Sequence, residues 1–443
     1  MRAIFLVLGC GILQAQQAEI GGTISKFQEK WKIAVPDFRG SGGAEGFMST
    51  FNATLRAQLQ DAGVLTVVDK SAYPIKVPQT PQDFRKPSPW LTEWSSPPVS
   101  ATHLVFGYAG VQSDRLALFG WLFNLAQPDP ASAKVLGKVY FGSLDKDGAK
   151  KVAHEFAEDI LQSFGLKTLI GSRIYFVSDR SGAKEIWSMD YDGSNQTQLT
   201  NFGTITQLPA LSADGKWMAF STLLKKNPPS YEVMLESTET KIKAPFSNPA
   251  APTNGWPEFT PDGQRLLFAS SATGYTQIYS ANLKGGDRRQ ITNSKAIDFS
   301  PRVNPKNGTD VLFISDRSGK QQLWRMNIEG GDAEMLTTGE GEVANPSWSP
   351  DGQMVAFAWT QGFELGGFNI FVMDVAQRKP VQLTKASGVN ENPWWAPDGL
   401  HIVYTSKRGG KTQIFVMLAD GSNARQLTTT GNNYQPVWAN ALQ

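Results

Sequence analysis

Cysteine is almost absent from this chain. Cys10 is the single cysteine among 443 residues, and it lies in the first, apolar stretch. No disulfide is expected in the mature protein, so packing has to stabilise it even in an oxidising compartment. Histidine is scarce too. His103, His154 and His401 are far apart in sequence, and neither a His-Glu-x-x-His pair nor a cysteine cluster occurs. A zinc centre is therefore not expected. No Gly-x-Ser-x-Gly elbow is present, which removes the α/β-hydrolase peptidases that carry propellers. The glycines of residues 38–46, FRGSGGAEG, are not followed by Gly-Lys-Ser/Thr, so they read as a strand-to-helix connection and not a phosphate loop.

Excess charge is missing as well. The formal net charge is +2, which gives no argument for nucleic acid or an anionic membrane surface. No long apolar run follows the N-terminus. The N-terminus itself reads as an export signal: Arg2, an apolar run from Ala3 to Leu13, then the small residues Ala15 and Ala18. Cleavage is expected after Ala15, with Ala18 as the second choice. Val7 to Cys10 also reads as a lipid-attachment box, but only nine residues precede Cys10, few for such a signal.

What is present is a repeat. Pro209, Pro257, Pro301, Pro346, Pro393 and Pro436 are spaced by 48, 44, 45, 47 and 43 residues, by subtraction. Such a period marks a propeller or a solenoid. Each unit opens on the Pro and often an aromatic (Phe259, Trp348, Trp394, Trp395, Trp438), then reaches a tight turn such as Asp214-Gly215, Asp262-Gly263, Asp351-Gly352 or Asp398-Gly399. Pro fixes φ, Asp bonds local backbone and Gly accepts positive φ. A β-branched and aromatic strand follows (VLFIS, 311–315; IVYTS, 402–406), then a turn, SDRSG or SKRGG. A third strand (QLWRM, 322–326; QIFVM, 413–417) leads to a closing Gln-Leu-Thr or Gln-Ile-Thr. Four short strands per unit make one blade, whose two apolar faces are buried only by its neighbours. The array opens at Arg173 without a Pro strand and ends on QPVWAN (435–440), a Pro strand without a partner. Joining the two closes a ring of six.

The preceding region has no repeat. Residues 31–38, 64–69, 103–110, 115–124 and 134–142 read as strands. Phe47, Phe51, Leu55 and Leu59 mark one helical face, and Val152, Phe156 and Ile160 another. Seven prolines between Pro74 and Pro98 predict an irregular surface loop. The expected fold is an α/β N-terminal domain, two helices on a small mixed sheet, followed by an all-β six-bladed β-propeller. The expected divisions are a signal peptide at 1–15, an extended tail at 16–25, the α/β domain at 26–168 and the propeller at 170–443.

IAVPDF at 33–38, the stretch ILQSFGLKTLIGSRIYFVS at 160–178 and the six Pro-Asp-Gly-type units together resemble the TolB family. The resemblance implies a non-enzymatic periplasmic scaffold of the Tol-Pal cell-envelope system. It implies a Pal-like peptidoglycan-associated lipoprotein at the propeller mouth and a TolA-like inner-membrane protein on the tail, with Glu19, Ile20 and Thr23 as candidate contacts. Support of outer-membrane integrity and cell division is implied with them, in a monomer without membrane insertion.

From the residues themselves, the loop entering each Pro strand leads to the innermost strand, so its residues ring the channel. These are Thr253, Asn254, Trp256, Asp298, Phe299, Asn345, Glu391, Asn392, Tyr434 and Gln435. Aromatics beside polar groups suit interface anchors. Two other uses of the same mouth are open: stacking on a glycan, or lyase or hydrolase chemistry with Asp298 and Glu391. Turn aspartates are candidate Ca²⁺ ligands, against the simpler reading that they only shape turns; no other cofactor is expected.

Overall fold

The computed structural model describes residues 31–84, 90–225, 227–240, 243–246, 251, 253–361, 367–385 and 388–440. The proposed signal peptide and tail, with Glu19, Ile20 and Thr23, lie outside them. The chain divides into two compact units, Met1–Thr168 and Leu169–Gln443.

The first unit is built on a mixed sheet of β1 (Trp31–Ala34), β2 (Arg39–Gly40), β3 (Leu65–Val67), β4 (His103–Gln112), β5 (Arg115–Asn124) and β6 (Lys134–Gly142). The order is β3-β1-β4-β5-β6, with β2 also paired to β4. Pairs involving β1 are parallel, and β4, β5 and β6 form an antiparallel meander. Helix α1 (Met48–Asp61) buries Phe51, Leu55 and Leu59, the residues its four-residue spacing singles out. Helix α4 (Lys146–Ser163) buries Val152, Phe156 and Ile160; α2 (Leu91–Ser95) and α3 (Pro130–Ala133) are single turns. The Asp145 side chain caps α4 by accepting from Gly148 N at 2.6 Å. This start falls a few residues before the apolar pattern becomes visible. Gly120 is required in β5, because a Cβ there would lie 2.7 Å from the Phe156 ring.

The proline-dense segment is not the irregular surface loop its composition predicts. It holds a 3₁₀ turn at Pro81–Asp83 and the helical turn α2. Phe84, Leu91, Trp94 and Val99 are buried against Leu104, Phe106 and Phe123 of the sheet. The reason is a seven-residue window without proline, 90–96, in which Leu91 and Trp94 stand one helical turn apart. Trp94 is fully buried and packs on Tyr73 at 5.4 Å. Trp94→Ala should cost roughly 3–5 kcal/mol. The loss should appear in guanidinium unfolding followed through the first unit; a change below about 1 kcal/mol would make this segment a loose cover.

The second unit contains, among the described residues, six four-stranded antiparallel sheets. Their inner strands, blades one to six, are Thr206–Leu211, Asn254–Phe259, Asp298–Val303, Val343–Trp348, Val389–Trp395 and Asn433–Ala439. The sixth blade closes the ring. Its inner strand comes from the end of the array and pairs with Arg173–Ser178 at its beginning. Apolar clusters lie between successive blades, such as Val355, Phe357 and Trp359 of blade four with Leu312, Ile314 and Leu323 of blade three.

Recurrent short phrases have recurrent physical jobs. In the Asp-Gly turns the carboxylate is held by its own turn: Asp214 Oδ1 accepts from Ser212 Oγ at 2.6 Å and Asp262 Oδ1 from Thr260 Oγ1 at 2.5 Å. These hydroxyls hold both carboxyls below the usual range. The closing Gln-Leu-Thr is a clasp. Thr200, Thr384 and Thr428 accept from the backbone N–H of Ile186, Ile370 and Ile414, at 2.8, 2.9 and 2.9 Å. In SDRSG the Arg folds back. Arg180 donates to Ser178 Oγ at 2.9 Å and stacks over Trp187 at 4.7 Å, and Arg317 does the same with Ser315 and Trp324. No helix among the described residues is long and apolar enough to cross a membrane.

Candidate functional site

The site is the lumen of the second unit, and its shape depends on one residue per blade. The residue before each repeat proline is Leu208, Trp256, Ser300, Asn345, Asn392 or Gln435, and all six have φ between 49° and 57°. Positive φ is uncommon for residues other than glycine, and a following proline normally favours extended backbone. At each of these points the ladder to the next strand shifts register, a β-bulge. The bulge re-aims the side chains around it. Three residues before each proline stand Thr206, Asn254, Asp298, Val343, Asn390 and Asn433, all fully buried inside their blades. Nearer the proline, Gln207, Glu391 and Tyr434 face the lumen with the bulge residues themselves.

This geometry sorts the expected mouth residues. Asn345, Glu391, Asn392, Tyr434 and Gln435 border one cavity of about 260 Å³, together with Val177, Lys184 and Gln207. Asn345, Asn392 and Gln435 also border a narrower space of about 30 Å³ in the lumen, and Trp256 borders that space alone. Phe299 lies 5.1 Å from Trp256, ring to ring. Asn254 and Asp298 do not belong to the mouth. Asn254 accepts from Ser270 Oγ at 2.8 Å, and Asp298 is ion-paired to Arg317 at 2.9 Å within blade three. Strand alternation turns them into the blade. Thr253 is half-buried on the blade, its N–H donating to Ser271 Oγ at 3.2 Å, and borders neither cavity. The pairing of Asp298 with Glu391 as two catalytic carboxylates therefore loses one member.

The lumen is barred at its waist. Arg302 of blade three donates to Glu258 of blade two at 3.2 Å and to the Pro346 carbonyl of blade four at 3.1 Å, and it lies 4.9 Å over Trp394 of blade five. Both charged side chains are 14 % exposed. Burial raises Glu258 to about 7, against the attraction of Arg302. Burial also raises Glu391 in the mouth, opposed by Lys407. Among the described residues no three His, Cys, Asp or Glu side chains converge into a metal site.

Several mouth and waist residues escaped the sequence reading. Gln207 and Leu208 precede Pro209 and were available from the register of the repeat. Lys184 bridges to Ile205 just before the strand Glu185–Asp190 of the closing blade and carries no repeat signal. Glu258 and Arg302 follow their prolines, where alternation alone does not say that they meet.

The comparisons with known proteins agree with this architecture. The "Protein TolB homolog" of Chlorobium chlorochromatii is 36% identical over 192 residues, 43% of this chain and 41% of that protein. The "Tol-Pal system protein TolB" of Desulfosudis oleivorans is 35% identical over 161 residues, 36% of this chain and 35% of that protein. The matched stretches thus span about two fifths or less of these curated relatives. The crystal structure of TolB from Acinetobacter baumannii superposes with a TM-score of 0.76 over 93% of this chain and 97% of that one, at 20% identity, a likeness of fold. The family profile described as "TolB beta propeller domain" matches residues 161–362 and 338–441, more than half of the chain. The protein belongs to the TolB β-propeller domain family.

Proposed function

We propose that this protein is a non-enzymatic, exported scaffold of the Tol-Pal system. It acts in the periplasm, where it docks a Pal-like lipoprotein on the propeller mouth and offers residues 16–24 to a TolA-like inner-membrane protein. The observation that carries the reading is the barred lumen. Arg302 reaches from blade three to Trp394 of blade five within the lumen, and the mouth beside it offers a concave surface to a partner. The mouth is lined by amides with Glu391 and Tyr434, and Trp256, packed on Phe299, borders the narrower space that adjoins it, an aromatic beside a polar rim. The printed names of the curated relatives favour the same system.

The test is affinity purification of the tagged mature chain from envelope extract, with mass spectrometry. An outer-membrane lipoprotein is expected. Trp256→Ala should weaken its capture by roughly 2 kcal/mol, with little change in melting temperature. Deleting residues 16–24 should remove only the inner-membrane partner. Recovery of glycan in place of lipoprotein, or equal loss of both partners on deleting the tail, would overturn the assignment.

A further inference from the structure

The mouth cavity is bordered by two opposite charges, and Lys407, outside its lining, also acts on the acidic one. Lys184, from the closing blade, and Glu391, from the neighbouring blade five, border the same space of about 260 Å³. Among the described residues neither takes part in an ion pair. The Lys184 ammonium instead lies 4.5 Å from the centroid of the Tyr434 ring. Around them stand side-chain amides. Gln435 uses its carbonyl to accept from Leu208 N at 2.8 Å, which leaves its amide N–H groups for a ligand. Asn392 donates to Thr405 Oγ1 at 3.3 Å. Asn345, Asn392 and Gln435 are shared with the narrower space that Arg302 lines.

We propose that this cavity is a binding site for a short zwitterionic peptide, its terminal carboxylate facing Lys184 and its terminal ammonium facing Glu391. A ligand with one charge would be attracted by one wall and repelled by the other, whereas a zwitterion satisfies both. The half-buried Glu391 carboxyl is held above its ordinary range by desolvation, the state that an arriving ammonium relieves. The amides match the peptide groups between the termini, where an apolar lining would leave them unsatisfied. The size suits two or three small residues, since the space of about 260 Å³ is small beside the roughly 300–1,000 Å³ of drug-sized pockets.

The inference goes beyond lipoprotein docking and stands or falls separately from it. Trialanine is titrated calorimetrically into the full mature chain and compared with its N-acetyl, C-amide form. Free trialanine should bind, and the doubly capped peptide should bind at least roughly tenfold more weakly. Each singly capped form should fall in between, which tests both charges without altering the protein. Lys184→Met and Glu391→Gln should each weaken free trialanine by about tenfold or more at unchanged melting temperature. Equal affinity for free and capped peptide, or no heat at millimolar trialanine, would overturn the site. A chain that retains no lipoprotein but prefers the free peptide would overturn the docking reading alone.

Discussion

A chain that stops at Asn432 should fail to close its propeller. The missing strand, Asn433–Ala439, is the inner strand of the sixth blade and pairs along Arg173–Ser178. Val437 and Trp438 are each 5 % exposed, and the Trp438 indole N–H donates to Ser172 Oγ at 2.9 Å. Trp438 belongs to the apolar cluster that joins Ile174, Phe176 and Met189 to Val403, Ile414 and Val416 of blade five. Asn433 also ties the clasp of blade five, donating to Gln413 Oε1 at 2.9 Å and accepting from Arg180 at 2.8 Å. Burying one large apolar side chain contributes roughly 1.5–3 kcal/mol. Removing the strand exposes several at once and leaves the edge of Arg173–Ser178 unpaired. The loss should approach the ~5–15 kcal/mol total stability of an ordinary domain. The truncated chain should melt without a cooperative transition and bind a hydrophobic dye. A truncated chain melting within a few degrees of the full one would refute closure by this strand.

Arg302→Ala should be the most damaging single substitution in the lumen. It removes the partner of a desolvated carboxylate and the cation stacked on Trp394. Breaking one side of a buried pair costs about 3–5 kcal/mol, mostly from the charge left behind. The pH dependence identifies the cause. Glu258 titrates near 7 in the folded chain, above its unfolded range, so the folded state holds the proton more tightly. Stability from this group is then complete in mild acid and declines as pH rises from the unfolded carboxyl range through about 7. Without Arg302 the carboxyl is held still higher, so the deficit of Arg302→Ala should be largest at neutral pH and smaller near pH 5. Replacing both residues, Arg302→Met with Glu258→Leu, should restore stability to near or above that of the parent chain, by up to roughly 1–4 kcal/mol. Urea unfolding across pH checks all three. A deficit that does not vary with pH, or a double variant no better than the single one, would assign the loss to packing alone.

Much of the fold was legible because its determinants are local. A proline every forty-odd residues, hydroxyl-Asp-Gly turns and alternating apolar strands each act over a few bonds, and together they specify one four-stranded blade. The helical faces of α1 and α4 were equally plain, since Phe51, Leu55 and Leu59, and Val152, Phe156 and Ile160, recur at the helical repeat. Proline density misled at 74–98, because composition averages over the seven proline-free residues whose helical turn puts Leu91 and Trp94 into the core. Mouth residues were half legible. The entering loops do carry residues into the lumen, but Asn254 and Asp298 belong to the opposite strand face from Glu391 and Tyr434.

The order of strands, the number of blades and the closure by the last strand follow from the amino-acid pattern, because turns and alternation are short-range and each blade repeats them. Which side chains meet in the lumen was settled only by the folded ring. Glu258, Arg302 and Trp394 belong to different blades, and Lys184 approaches Glu391 only because the array closes. Six residues other than glycine hold positive φ before proline, a conformation that local preference disfavours and that the surrounding bulged strands impose.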